Sequence, residues 1–123
     1  MTRIALLLGM VGLLSAASFS AQAHEILARS ETSALSAADR HIAANAEAEA
    51  LDRDEAVRDF AWRGPDGASG LIIVSGHHPD FYGMGRCRNL IHIIRHPADG
   101  GVNATFEGNV CRDWEGRWSV ERR

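Results

Sequence analysis

Cys87-Arg88-Asn89-Leu90-Ile91-His92-Ile93-Ile94-Arg95, His96-Pro97-Ala98-Asp99-Gly100-Gly101-Val102, Asn103-Ala104-Thr105-Phe106-Glu107-Gly108-Asn109-Val110-Cys111: two strand-like runs flank a turn, and the chain's two cysteines stand at the outer ends. The midpoint between those cysteines is Asp99, inside the segment richest in turn formers. Proline presets φ, while Asp and Gly accept the conformations that a reversal needs. Cysteine register and turn position therefore agree on an antiparallel hairpin. That register pairs Arg88 with Val110, Leu90 with Gly108, His92 with Phe106 and Ile94 with Ala104 on one face. Cys87, Ile91 and Ile93 share the other face with Cys111, Glu107 and Thr105. Directly opposed cysteines come close enough for a structural disulfide. Closing a loop of about 25 residues stabilises by roughly 3.5 kcal/mol on the chain-entropy model.

Upstream of the hairpin, Leu71-Ile72-Ile73-Val74 reads as a strand buried on both faces or central in the sheet. Ser75 to Gly85 reads as a loop carrying His77, His78, Pro79, Phe81 and Tyr82. Val57 to Arg63 predicts a strand with Phe60 and Trp62 on one face, closed by the turn composition Gly64-Pro65-Asp66-Gly67. Downstream, Asp113-Trp114-Glu115-Gly116 turns the chain into a short strand, Arg117 to Glu121. Before all of these, Ser33 or Ser36 begins a helix; Ser36 and Asp39 are spaced like a capping box, with Asp in place of the usual Glu. An Ala- and Glu-rich helix runs from there to Leu51, with a thin stripe of Leu35, Ala38, Ile42, Ala46 and Ala50. His24 to Thr32 is expected to be short, polar and frayed. The fold class is α+β: one N-terminal helix packed on a roughly five-stranded antiparallel sheet, with one disulfide across a hairpin.

Residues 1–23 carry the pattern of a signal peptide: Arg3, an apolar run from Ile4 to Leu14, and Ala21-Gln22-Ala23 as the cleavage signal. The apolar run is shorter than the 20 or so residues that span a bilayer. With no cysteine before Cys87, no amino-terminal lipid attachment is expected. The expected organisation is leader 1–23, acidic arm and helix 24–56, and an antiparallel β domain 57–123 packed with the helix as one domain. The mature chain is expected in the periplasm or at the cell surface, with no transmembrane span, and an oxidising compartment suits a single bridge. All 13 basic residues are arginine; without Arg3 the balance is twelve against 16 acidic residues, net −4. Neither half is basic enough to imply nucleic acid.

The mature chain resembles the bacterial surface-antigen family typified by the seventeen-kilodalton rickettsial antigen, over roughly Leu35 to Val120. The residues that carry the likeness are Leu35 to Arg40, Ala50-Leu51, Trp62 with Pro65, Gly67, Ser69 and Gly70, Cys87-Arg88, Cys111-Arg112, and Gly116 with Trp118. Gly64 stands where that family has Asn, Glu115 where it has Asp, and Leu90 where it has an aromatic. The resemblance implies an envelope protein with no established catalytic residues; it names a place more than a task.

The chemistry-bearing residues point to binding. His77 and His78, with His92, are the candidates for a zinc or copper site, although His92 opposite Phe106 suits a packed or rim position better. Ser75, His77 and Asp80 lack a glycine elbow or oxyanion arrangement, so no catalytic residues and no enzymatic activity are expected. Glu47 with Glu49, and Asp52 with Asp54, read as ordinary surface charges. Arg88 and Arg112 are expected to lie close together, either covering the hydrophobic rim or holding an acidic group. Together with Trp114 and Trp118 they are the candidate binding residues. The expected function is an exported, non-enzymatic envelope module that binds an envelope protein or cell-wall glycan, without cofactor. The alternatives are an inhibitor of a wall-degrading enzyme such as lysozyme, acting through His77 to Tyr82, and a His-based metal binder.

Overall fold

The structure is a computed structural model that describes residues 25–53, 55–79, 86–97, 100–101 and 103–121, with the backbone alone at 77–79 and 86. The expected leader, Asp80, Phe81 and Tyr82 lie outside the described residues. One helix, α1 (Ala37–Leu51), precedes five strands: β1 (Val57–Arg63), β2 (Ser69–Pro79), β3 (Arg86–Arg95), β4 (Asn103–Arg112) and β5 (Trp118–Val120). The strands form one antiparallel meander in the order β1-β2-β3-β4-β5. The hairpin register is the one the cysteines specify: Cys87 opposes Cys111, Arg88 opposes Val110 and His92 opposes Phe106. Cys87 and Cys111 are disulfide-bonded, with a Cα separation of 4.0 Å. The Gly100 N–H donates to the Pro97 carbonyl at 3.2 Å, so the reversal falls in the proline-to-diglycine segment.

Loop closure comes later on β2 than expected. The strand continues past Ser75 to Pro79, through an irregularity between Ser75 and His78, and pairs His78 with Cys87. The histidine pair therefore sits on a strand held to the disulfide. A disulfide at the end of β3 extends the ladder that its neighbour can join.

Helix and sheet meet through small side chains. Ser36 caps α1, its hydroxyl accepting from the Asp39 N–H at 3.1 Å. The buried side of the helix is Asp39, Ala43, Ala44, Ala46, Glu47, Ala50 and Leu51. This corrects the expected stripe: Ala38 and Ile42 face solvent. The residues that win burial include two carboxylates, which find donors there. Asp39 is fully buried and accepts from the backbone N–H groups of Asp66 at 2.9 Å and Ala68 at 3.2 Å, gripping the β1–β2 turn. Gly64 is required beside it, because any Cβ at that position would run into the Asp39 carboxyl group. Gly64→Ala should therefore lower stability by about 1–3 kcal/mol, as overpacking does. Urea denaturation of both proteins measures it, and equal midpoints would show that the turn can shift at no cost.

The segment before the helix is not frayed. Ile26, Ala28, Thr32 and Leu35 are all buried and extend the core over the helix. The sheet face beneath carries Trp62, Ile72, Val74, Leu90, Ile94 and Val110, all buried. The second face is uncovered among the described residues. Leu71 is 38% exposed and Ile73, Ile91 and Ile93 are half-buried, so β2 is not buried on both faces. No helix among the described residues is long and apolar enough to cross a membrane.

Candidate functional site

Two features gather the polar and aromatic residues: a sealed network in the core and an exposed turn at its edge. In the core, Trp62 Nε1 lies 2.7 Å from His92 Nε2, and His92 Nδ1 lies 2.7 Å from Glu47 Oε1. An indole nitrogen only donates, so His92 Nε2 accepts and the ring proton sits on Nδ1, where it donates to Glu47. The Glu47 carboxylate also accepts from the backbone N–H groups of Leu27 at 2.7 Å and Ala28 at 3.3 Å. His92 is 0% and Glu47 2% exposed.

Acid, imidazole and donor are thus lined up as in a proton-relay site, yet each is engaged within the protein and shielded from water. What the network does is tie the N-terminal segment, α1, β1 and β3 together. One expectation is corrected here. Glu47 is not a surface charge; of the packed and rim positions expected for His92, the ring takes the packed one. Since both its ring nitrogens are engaged, His92 does not join His77 and His78 in a metal site. The described residues contain no group of three or more His, Cys, Asp or Glu able to hold a metal ion.

At the edge, the β4–β5 turn is pinned by Asp113. Its carboxylate accepts from the backbone N–H groups of Glu115 at 2.9 Å and Arg117 at 2.8 Å. The Arg117 guanidinium lies beside both Asp113 and Glu115. The Arg117 backbone donor, aided by that cation, holds the Asp113 carboxyl below the usual range. Gly116, at φ +83°, completes the turn, and the Arg112 guanidinium lies over it. From this rigid turn Trp114 projects 90% exposed.

The four candidate binding residues therefore separate. Arg112 and Trp114 share the exposed turn. Arg88 is only 1% exposed, with its guanidinium 5.9 Å from the Trp118 ring, so it is not the surface partner of Arg112 that the hairpin register suggested. Trp118 is half-buried and donates to Asp52 at 3.0 Å, fastening β5 to the end of α1. Asp39 and Glu47 were missed by sequence reasoning. Stepping back by fours from Leu51 reaches Glu47, Ala43 and Asp39, the one stripe ending on the helix's only leucine, and that was the available signal.

Fold and site together define a small disulfide-stapled α+β module with a sealed polar core and one prominent aromatic turn. Comparison of the chain with protein-family models, with curated proteins and with solved structures finds no match in any of the three.

Proposed function

We propose that this chain is an exported, non-enzymatic module of the cell envelope that binds a partner protein or a cell-wall polymer through the β4–β5 turn. The observation that carries the reading is Trp114, 90% exposed on a turn that four Asp113 and Arg117 contacts hold in place. An indole buries roughly 150–250 Å² when covered. Its rigid mounting means that little conformational entropy is lost on contact. Arg112 beside it adds a planar donor suited to carboxylates or glycan hydroxyls. The leader-like first 23 residues and the single bridge support the expected destination, as does the resemblance to an envelope antigen family.

The test is co-sedimentation of the oxidised protein with purified cell-wall sacculi, together with non-reducing capture from envelope extract. Wild type should be retained by one of the two, and Trp114→Ala should weaken retention by about 2 kcal/mol, the scale of an aromatic hot spot. Its melting temperature should not move, because an exposed side chain contributes little to folding. Wild type left in the supernatant and captured alone would end the proposal.

A further inference from the structure

We infer that the sheet face left uncovered among the described residues holds a second binding site, separate from the Trp114 turn, for a single-chain amphiphile with an anionic head. The antiparallel register brings four residues into one row across four strands: Arg63 opposite Ser69, Ser69 opposite Arg95, and Arg95 opposite Asn103. Arg63 and Arg95 are both exposed, and neither takes part in the ion pairs formed among the described residues. Two strand spacings, about 10 Å, separate them, with Ser69 between. Gly101, at φ +79°, leaves room for the Arg95 guanidinium at the hairpin turn, where any Cβ would lie 2.9 Å from its Nη2. Two guanidinium groups flanking a hydroxyl form a cradle for a carboxylate or phosphate.

The next row along the strands is apolar: Ala61, Leu71 and Ile93 lie in register, and Ile73 opposite Ile91 follows it. A shallow concavity of about 290 Å³ joins the two rows, lined by Arg63, Ser69, Leu71, Ile93 and Arg95. On β4 that second apolar row ends in an exposed acid, Glu107 opposite Ile91. The face is therefore polarised, with cations at one end and aliphatic side chains next to them, flanked on the β4 side by an anion. That order specifies both the head of a ligand and the direction of its tail. The apolar part is short: Ala61, Leu71 and Ile93 in one row across three strands, then Ile73 and Ile91 in the next. Five aliphatic side chains next to a cationic row suit a short stretch of one acyl chain that carries an anionic head.

The probe is dodecanoate at concentrations where it is monomeric, titrated into the oxidised full-length protein and followed by backbone and methyl NMR. Shifts should concentrate at Arg63, Ser69, Leu71, Ile93 and Arg95. The exposed double variant Arg63→Gln/Arg95→Gln should bind at least tenfold more weakly with an unchanged melting temperature. Acetate, which has the head alone, and dodecyl maltoside, which has the same chain on an uncharged head, should each bind at least tenfold more weakly than dodecanoate. Equal affinity for either control, shifts centred on another face, or an unaffected double variant would overturn the inference. So would binding to phosphatidylglycerol vesicles without binding to monomeric dodecanoate. Concentration-dependent shifts on this face in the free protein would assign it to self-association instead, and overturn the inference too.

Discussion

Glu47→Ala should reduce the unfolding free energy by about 3–5 kcal/mol, because it leaves several buried donors without an acceptor. The substitution strands three donors at once: the N–H groups of Leu27 and Ala28, and the Nδ1–H of His92. Each buried orphan costs on the order of 1–3 kcal/mol, and a domain of this size has only about 5–15 kcal/mol in hand. Glu47→Gln is the sharper probe of the assigned tautomer. An amide offers one acceptor oxygen, so its NH₂ must face either the Leu27 N–H or the His92 Nδ1–H. If His92 moved its proton to Nε2 to relieve that conflict, two donors would meet at Trp62. No arrangement satisfies all the partners, and we expect a loss of about 2–3 kcal/mol.

Urea denaturation of the oxidised proteins measures both variants. A fully stable Glu47→Gln would refute the proton arrangement. In Glu47→Leu/His92→Leu the loss should be smaller than the sum of the single losses, since contacting residues are coupled.

Removing the bridge is the second large effect. Cys87→Ala/Cys111→Ala should cost about 2–5 kcal/mol, centred near the 3.5 kcal/mol of the chain-entropy estimate. For a domain of roughly 100 residues, the central value corresponds to a fall in melting temperature of about 14–28 °C. The bridge ties β3 to β4 at the end remote from the hairpin turn, closing a sequence separation of 24. Without it, the β3–β4 ladder frays from its open end, where β2 also continues its pairing through His78. Thermal melts with and without reductant are the measurement. Coincident curves would mean that packing alone holds the ladder.

Local chemistry explains which features were legible. The cysteine positions and the turn residues between them determine the β3–β4 register, because side-chain alternation leaves no freedom once one pair is placed. Ser36 specifies the helix start, since a hydroxyl there satisfies a backbone donor three residues on. Gly116 and Asp113 mark the turn that leaves Trp114 in water. All of these depend on neighbours in sequence or on one covalent bond.

By itself, then, the sequence determined a helix, five antiparallel strands, one bridge and the edge on which an aromatic turn stands. Only the tertiary structure decided which side of the alanine-rich helix faces inward and where the charges go. Asp39 is buried by N–H groups 27 and 29 residues away, and Glu47 by a histidine 45 residues away. The physical reason is the range of the interaction. A carboxylate's burial depends on whether donors converge on it in space, and residue spacing along the chain carries no record of that. The same holds for Arg88, drawn inward beside Trp118, and for the row of Arg63, Ser69 and Arg95, assembled from three separate strands.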